Sequence, residues 1–199
     1  MSFGPNIDDT ITSLRTLSTD GVSMEFSALT RFLKTENPVF EELILLATSD
    51  ASKPYGRRVL LETDALEMMV ARWTPGHPCA PHDHGGSLGA VRVLQGRAKH
   101  RIWRCIDGML RAVHEELVDP GGVMSCGSDL IHSMGDDGAP EPLITLHMYT
   151  KSIDHMVVYD LKEDETLVVE GSCGAWVPHD APEMVRRRYA GIRTPQSVR

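Results

Sequence analysis

Three histidines stand in a pattern that is typical of a metal site. His82 and His84 are separated by one residue, and His132 follows in a distant segment. Histidines one residue apart on a regular strand point to opposite faces, so both reach one ion only where the strand bends or bulges. The prolines and glycines around this pair supply such a break. The spacing therefore predicts a metal site and leaves the metal and its chemistry open.

Composition and charge exclude several classes of protein. The chain has 199 residues, enough for one domain with a substantial core. Its net charge of −8 disfavours binding to nucleic acid or to an anionic membrane surface. No apolar run reaches the length that spans a bilayer. We therefore expect a globular protein whose partners are small molecules, and either a monomer or a weak homo-oligomer.

The cysteines and the first residues predict a cytoplasmic location. The segment 1–6 has no basic stretch followed by an apolar core, so no secretory signal is expected. The four cysteines form no CxxC pair and no dense framework, which predicts reduced thiols. They are Cys79, Cys105, Cys126 and Cys173.

The first fifty residues have the apolar spacing of helices. Apolar side chains recur every three or four positions in Ile7–Leu17, Phe26–Leu33 and Val39–Ala47. Asn37-Pro38 marks the start of the third segment. We predict a helical cap over residues 1–52 that packs against the main domain.

Beyond Lys53-Pro54, short apolar stretches alternate with Gly, Pro and Asp. Many short strands at close spacing predict a sandwich or a barrel, here over residues 53–182. The expected strands are 59–61, 67–73, 88–94, 98–105, 110–117, 143–149, 156–161 and 166–169. The remaining residues 183–199, with the basic run Arg186-Arg187-Arg188, are predicted to be a solvated C-terminal tail.

The glycines and histidines together form a longer pattern. The first part runs Gly76-x5-His82-x-His84-x4-Gly89-x6-Gly96, and the second runs Gly121-x5-Gly127-Ser-Asp129-x2-His132-x3-Asp136. The two parts resemble the two motifs of the cupin superfamily. The resemblance implies a mainly β fold, a double-stranded β-helix that forms a small jelly-roll barrel. The second motif departs from the usual Pro, Gly and Asn at Gly127, Asp129 and Asp136.

Gly89 replaces the metal-binding Glu that the first cupin motif usually carries. Without that carboxylate, a metal would have three neutral imidazoles, which suit Zn, Cu, Fe and Ni alike. Three imidazoles leave up to three positions of an octahedral ion open, room for a bidentate substrate and dioxygen. Because the site has no carboxylate ligand, an anionic substrate such as a thiolate can bind without a second negative charge at the metal.

Four segments, in order and spacing, are similar to the cysteine dioxygenases of the thiol dioxygenase family. They are Tyr55-Gly-Arg57, Pro81-His-Asp-His84 with Val93-Leu-Gln-Gly96, Leu130-Ile-His132, and Leu143-Ile-Thr-Leu-His-Met-Tyr149. The similarity covers roughly half of the chain. It implies Fe(II) bound by His82, His84 and His132, with cysteine chelated through its thiolate and amine. Both atoms of O2 would end on sulfur, giving a sulfinic acid without an external reductant.

The resemblance also assigns residues to the substrate and to a relay. Arg57 matches the family's carboxylate-binding arginine, with Tyr55 beside it, and a guanidinium fits a carboxylate with two parallel hydrogen bonds. Arg58 would point to the opposite face of a strand. Thr145, His147 and Tyr149 alternate and so share one strand face. They match the family's Ser-x-His-x-Tyr relay, which ends in a phenol near the iron.

Two departures concern the surroundings of that phenol. Vertebrate members have a cysteine that cross-links to the tyrosine, and Gly89 stands at that position. The family often has Ser-Pro-Pro after the tyrosine, where this chain has Thr150-Lys-Ser152. The remaining histidines lack a paired spacing and receive no role, and the tryptophans are expected in the core or the pocket lining.

Several functions stay open at the sequence level. The leading hypothesis is an iron-dependent dioxygenase that acts on L-cysteine. The same chemistry on 3-mercaptopropionate or another small mercapto-acid is the nearest alternative, although members specific for 3-mercaptopropionate tend to replace the arginine that Arg57 matches. A non-catalytic cupin that senses a small acid is an alternative of another class. A zinc or nickel cupin such as an isomerase is a further enzymatic alternative.

Overall fold

Three helices open the chain in the computed structural model, which describes residues 6–19 and 25–198. The helices are α1 (Ile7–Thr19), α2 (Phe26–Lys34) and α3 (Val39–Leu46). Their bounds follow the three segments of helical apolar spacing. Parts of the predicted cap (1–5 and 20–24), and with them most of the segment considered for a secretory signal, lie outside the described residues. The last residue of the predicted tail also lies outside them. No helix in the described ranges is long and apolar enough to cross a membrane.

Eleven strands follow in the described residues. They are β1 (Tyr55–Thr63), β2 (Leu66–Trp73), β3 (Gly89–Gln95), β4 (Ala98–Ile106), β5 (Met109–Val118), β6 (Val123–Cys126), β7 (Ile131–Asp136), β8 (Ile144–Tyr149), β9 (His155–Asp160), β10 (Glu165–Glu170) and β11 (Val185–Ala190). A 3-10 turn (Pro182–Met184) precedes β11, and a short helix, α4 (Pro195–Val198), follows it.

The strands of the described residues form three antiparallel sheets. One sheet has the order β1-β2-β8-β3-β6, and two smaller sheets have the orders β5-β4-β7 and β11-β10-β9. His82 bridges the two smaller sheets, because it pairs with His132 of β7 on one side and Val158 of β9 on the other. The prediction of a mainly β, cupin-type double-stranded β-helix with N-terminal helices is confirmed.

The helices cover the outer face of the five-stranded sheet. Leu29 and Leu33 of α2 and Leu43 of α3 are fully buried in one cluster with Met68 of β2 and Met148 of β8. Side chains alternate between the two faces of a strand, so the neighbours of Met68 and Met148 point to the barrel interior. The helices therefore bury one face of β2 and β8, and the other face is left for the site.

The segment predicted as a tail contains a strand. β11 pairs with β10, and its arginines are exposed. Arg186 donates to both carboxylate oxygens of Asp154, at 2.7 and 2.9 Å, and to Glu170 at 2.6 Å. Backbone pairing and acidic neighbours explain why a basic run lies on a sheet edge rather than free in solvent.

Candidate active site

The three histidines of the predicted metal site converge in the interior of the barrel. Each of His82, His84 and His132 has a ring nitrogen within 4.8 Å of those of the other two. All three side chains are buried, with at most 6% of their surface exposed. The Nε2 atoms of His84 and His132 are 3.3 Å apart. The sequence pattern and the fold thus place the same three imidazoles together.

An irregular segment brings the paired histidines to one point. His82 makes an isolated bridge, with backbone hydrogen bonds of 2.9 Å in both directions to His132, and His84 lies outside any strand. Gly85 follows with a φ of 59°, and a Cβ there would lie 1.9 Å from the carbonyl oxygen of His155. Only glycine accommodates that turn. The prediction that a break in regular structure accompanies the pair is confirmed.

Hydrogen bonds turn two of these rings so that Nε2 faces the interior. His82 Nδ1 is 2.9 Å from the carbonyl oxygen of Ala80, so it carries the proton and donates. His132 Nδ1 is 2.9 Å from Nε2 of His100. The buried Nδ1 of His84 has no hydrogen-bond partner within the part of the chain that is described. The rings of His82 and His132 are therefore held in place by hydrogen bonds at Nδ1.

This donor set fits a transition-metal ion. Two nitrogens bound about 2.1 Å from one ion, at tetrahedral or octahedral angles, stand about 3.0–3.4 Å apart, which matches the His84–His132 separation. Burial lowers the pKa of His82 to about 4 and the pKa values of His84 and His132 well below 6.5. Neutral imidazole is the form that binds metals. The described residues can hold a metal through His82, His84 and His132.

The stability of the metal-free protein should fall in mild acid. Burial also lowers the pKa of His147 to about 3, so four imidazoles stay neutral in the folded state and bind protons near pH 6.5 in the unfolded chain. Below that pH, each such group decreases the free energy of unfolding by about 1.4 kcal/mol per pH unit, down to its folded pKa. Burial raises the pKa of Glu67, so this carboxyl group increases the free energy of unfolding as the pH falls. The four imidazoles outweigh this single opposite contribution.

Urea unfolding of the chelator-treated protein measures this effect. We expect a clearly lower unfolding midpoint at about pH 5.5 than at about pH 7. The variant His147→Gln removes one of the four buried imidazoles, so its midpoint should fall less between the two pH values than that of the wild type. Equal midpoints at the two pH values would show that the buried imidazoles do not oppose protonation.

A chain of side-chain hydrogen bonds runs along the inner face of β8. Trp73 Nε1 donates to Thr145 Oγ1 at 2.9 Å, Thr145 Oγ1 is 2.8 Å from His147 Nε2, and His147 Nδ1 is 3.1 Å from the Tyr149 hydroxyl. An indole N–H can only donate, so Thr145 Oγ1 accepts from Trp73 and keeps one proton and one further lone pair for His147. In the tautomer that carries its proton on Nδ1, His147 accepts from Thr145 and donates to Tyr149, and the phenolic proton of Tyr149 is left for the pocket.

Tyr149 lies directly beside the three-histidine group. Its ring centroid is 4.9 Å from that of His84. Burial raises the pKa of the phenol well above 10, so the hydroxyl stays protonated. The protonated phenol can therefore donate a hydrogen bond to a ligand in the pocket.

Gly89 leaves the space that the ring of Tyr149 occupies. The two residues are directly paired across β3 and β8. A Cβ at position 89 would lie 2.3 Å from Cδ1 and 2.5 Å from Cε1 of the ring. Any side chain at this position must therefore displace the phenol.

Gly89→Ala should reduce catalysis without loss of the metal site. A displacement of about 1 Å at a reacting group can lower the rate about 100-fold, and we expect kcat to fall about 10- to 100-fold while metal content is unchanged. Gly127→Ala is a matched control, because a Cβ there meets no atom within 4 Å. Unchanged kcat in Gly89→Ala would show that the position of the Tyr149 ring is not critical.

The loop after Tyr149 is held by polar contacts instead of prolines. The backbone N–H of Ile153 donates to Glu67 at 3.1 Å, and the hydroxyl of Ser152 donates to Glu62 at 2.6 Å. Thr150 adds a backbone hydrogen bond to Leu88 at 2.8 Å. These contacts fix the loop where the family often has Ser-Pro-Pro.

Arg57 and Tyr55 line the same pocket from β1. The guanidinium of Arg57 donates to the carbonyl oxygens of Gly171 at 3.1 Å and Ser172 at 2.7 Å, which uses two of its five N–H groups. Tyr55 is buried, and its hydroxyl accepts a hydrogen bond from the N–H of Ala175 at 3.0 Å. Arg58, next in the chain, is exposed. The structure thus brings Arg57, and not its neighbour, to the pocket.

The pocket is lined by the candidate site residues predicted from the sequence, except Thr145, and by several residues that were not predicted. The predicted members are Tyr55, Arg57, His82, His84, His132, His147 and Tyr149. Thr145 is reached through its hydrogen bond to His147. Glu67 and Cys79 also line the pocket and carry no role in the sequence pattern. Burial raises the pKa of the Cys79 thiol to about 12, which keeps it protonated.

Cross-strand register explains why Glu67 was missed. Glu67 is paired with Tyr149 across β2 and β8, so its side chain shares the inner face with the phenol. Trp73 reaches the relay for the same reason, although its place in the pocket lining was expected. The alternation in 67–73 could show that these two residues share a face, but no local pattern shows which strand lies beside them.

One family model and several solved structures are similar to this chain. The family model of cysteine dioxygenase type I matches residues 35–162, which include all three histidines, Arg57 and Tyr149. A double-stranded β-helix protein from Klebsiella pneumoniae subsp. pneumoniae is 18% identical, with 59% of this chain and 94% of that chain covered and a TM-score of 0.47. A protein from Thermus thermophilus is 18% identical, with 55% and 93% covered and a TM-score of 0.46.

A third solved structure, BH2720 from Bacillus halodurans, is 16% identical, with 59% of this chain and 80% of that chain covered and a TM-score of 0.47. The family match at residues 35–162 includes the residues of the site and covers more than half of the sequence. The chain belongs to the cysteine dioxygenase type I family of metal-dependent dioxygenases, which have a cupin fold.

Proposed function

We propose that the protein is an iron-dependent thiol dioxygenase that oxidises L-cysteine to cysteine sulfinic acid. The observation that supports this most strongly is the single pocket that contains three imidazoles, Arg57 and the hydroxyl of Tyr149. The reaction balances without another reagent. The sulfur of the thiolate loses four electrons, O2 gains four, and both oxygen atoms form bonds to sulfur.

Fe(II) held by His82, His84 and His132 would supply the redox chemistry between thiol and dioxygen, and a metal also acidifies a bound thiol. The imidazoles add no charge of their own, which favours an anionic sulfur ligand. Three neutral ligands with no carboxylate among them are consistent with a substrate that brings negative charge to the site.

Arg57 is proposed to bind the carboxylate of the substrate. Its guanidinium is partly buried at the pocket wall, and its remaining N–H groups are available for a bidentate pair with a carboxylate. Tyr55 packs against Trp73, with ring centroids 4.7 Å apart, and closes the pocket on the same side. A small thiol with a carboxylate a few bonds from sulfur matches this arrangement.

Tyr149 is proposed to donate its phenolic proton in a hydrogen bond to the reacting groups. Its hydroxyl lies 3.1 Å from Nδ1 of His147, which Thr145 contacts in turn, and the tautomer with the proton on Nδ1 leaves the phenolic proton for the substrate. The burial of the relay excludes water from this side of the pocket. His147 and Thr145 therefore act as positioning residues for the phenol.

Oxygen uptake with a panel of small thiols tests the proposal. Iron-loaded protein is supplied with cysteine, 3-mercaptopropionate, mercaptosuccinate and cysteamine in an oxygen electrode, and product is identified as sulfinate by mass. We expect the highest kcat/KM with cysteine. A higher value with 3-mercaptopropionate or mercaptosuccinate would identify the alternative mercapto-acid substrates.

No oxygen consumption with any of these thiols would contradict the enzymatic proposal and favour a cupin that binds a small acid. The metal content of protein from unsupplemented cells separates iron from the zinc or nickel alternatives. The four cysteines, all free in the structure, support a reducing compartment such as the cytoplasm.

A further inference from the structure

A hydrogen-bonded path leads from the third metal-site histidine to the protein surface. His132 Nδ1 is 2.9 Å from His100 Nε2, and His100 Nδ1 is 2.9 Å from Glu116 Oε1. His100 is buried, with 2% of its surface exposed, whereas the side chain of Glu116 is 44% exposed. The other carboxylate oxygen of Glu116 is 3.9 Å from Nε2 of His114.

The strand order of one small sheet creates this path. β4 lies between β5 and β7, so a side chain on β4 contacts both neighbours. His100 is paired directly with Glu116 of β5, and Ile102 of β4 is paired with His132 of β7. His100 and His132 are diagonal neighbours on the inner face, a separation that long side chains can bridge.

The path fixes which nitrogen of His132 carries the proton. A carboxylate only accepts hydrogen bonds, so His100 donates to Glu116 through Nδ1. When His132 binds a metal through Nε2, its proton lies on Nδ1, and Nε2 of His100 is the acceptor 2.9 Å away. The lone pair of His132 Nε2 therefore points toward His84, at 3.3 Å from the corresponding nitrogen of that ring.

The three imidazoles differ in the hydrogen-bond partner of Nδ1, the ring nitrogen that faces away from the metal site. His82 donates to a backbone carbonyl, and His84 has no partner for Nδ1 among the described residues. His132 alone in that set is connected to a carboxylate through a second side chain. A carboxylate behind an imidazole raises its basicity and orients its ring.

We propose that His100 and Glu116 are positioning residues that hold His132 ready for the metal and strengthen it as a ligand. The inference rests on the proposed metal site but not on the identity of the thiol or on its oxidation. Loss of such a carboxylate–histidine connection typically weakens metal binding about 10- to 100-fold.

Binding of Co²⁺ alone, followed by its visible absorption in competition with a chelator, tests the proposal. We expect His100→Leu to raise the dissociation constant about 10- to 100-fold, because Leu offers no acceptor to His132. His100→Gln should restore part of the affinity, since its amide oxygen can accept the same proton. Glu116→Ala should weaken binding about tenfold.

Glu115→Ala is the matched control. Glu115 is the neighbouring exposed carboxylate on β5, and it accepts from Arg101 at 2.5 Å rather than from His100. Its variant should bind Co²⁺ like the wild type. If His100→Leu does not fold, Glu116→Ala still decides the question because that side chain is half exposed.

Wild-type dissociation constants in folded Glu116→Ala and His100→Leu would overturn the proposal. A purely structural role predicts a different result, namely a lower melting temperature of the metal-free variants with unchanged affinity per folded molecule. The outcome is independent of the proposed function, because a sensor or an isomerase with the same three histidines would give the same change in Co²⁺ affinity.

Discussion

Replacing His132 by alanine should abolish metal binding and thiol oxidation together. Among the described residues the candidate metal group consists of His82, His84 and His132, so the variant leaves two of its three imidazoles. The expected result is loss of stoichiometric iron, measured by metal analysis after anaerobic loading, and oxygen uptake at the background rate. His132→Gln should behave in the same way, which separates loss of the ligand from loss of volume.

His114→Ala is the matched control for this experiment. It removes an imidazole of the same barrel that is 54% exposed and lies outside the three-histidine group, so iron content and activity should equal those of the wild type. Full activity in a folded His132→Ala protein would contradict the assignment of His132 as a ligand. Retained iron with lost activity would instead place His132 in catalysis rather than in metal binding.

Arg57→Ala should raise KM for carboxylated thiols about 10- to 100-fold. A charge-assisted hydrogen-bonded pair contributes about 1.5–3 kcal/mol, which corresponds to that change in binding. The steady-state rate of oxygen uptake as a function of cysteine concentration measures it. Arg58→Ala is the control, because Arg58 is adjacent but exposed, and its KM should be unchanged.

Cysteamine distinguishes loss of the anchor from damage to the loop. Arg57 also donates to the carbonyls of Gly171 and Ser172, so its removal could disturb that loop for every substrate. Cysteamine lacks a carboxylate, and its kcat/KM should be low in the wild type and change little in Arg57→Ala. Equal use of cysteamine and cysteine by the wild type would show that Arg57 is not the carboxylate anchor.

The sequence predicts the parts of this protein that depend on local pattern. The three helices follow from apolar residues at intervals of three and four, and the break at the histidine pair follows from its glycines and prolines. Strands β6, β7 and β11 were missed. β7 contains a metal-site histidine and a glycine among its six residues, and β11 consists half of arginine, so neither resembles an apolar strand.

Contacts that depend on strand order lie beyond local pattern. Thr145, His147 and Tyr149 share a face because they alternate along one strand, and this is visible in the sequence. That Trp73 and Glu67 stand beside them depends on β2 pairing with β8. That His100 reaches His132 depends on β4 pairing with β7, so a histidine without paired spacing carried no signal.

His82 also has a structural role, because its backbone bridges the two small sheets. Its backbone pairs with β7 and β9, whereas its side chain belongs to the metal site. A metal ion bound by both His82 and His132 would therefore add a second link between the backbone bridge at His82 and β7. Ligand binding to the folded state shifts the folding equilibrium by mass action. Metal supply would then raise the stability of the folded chain as well as its activity.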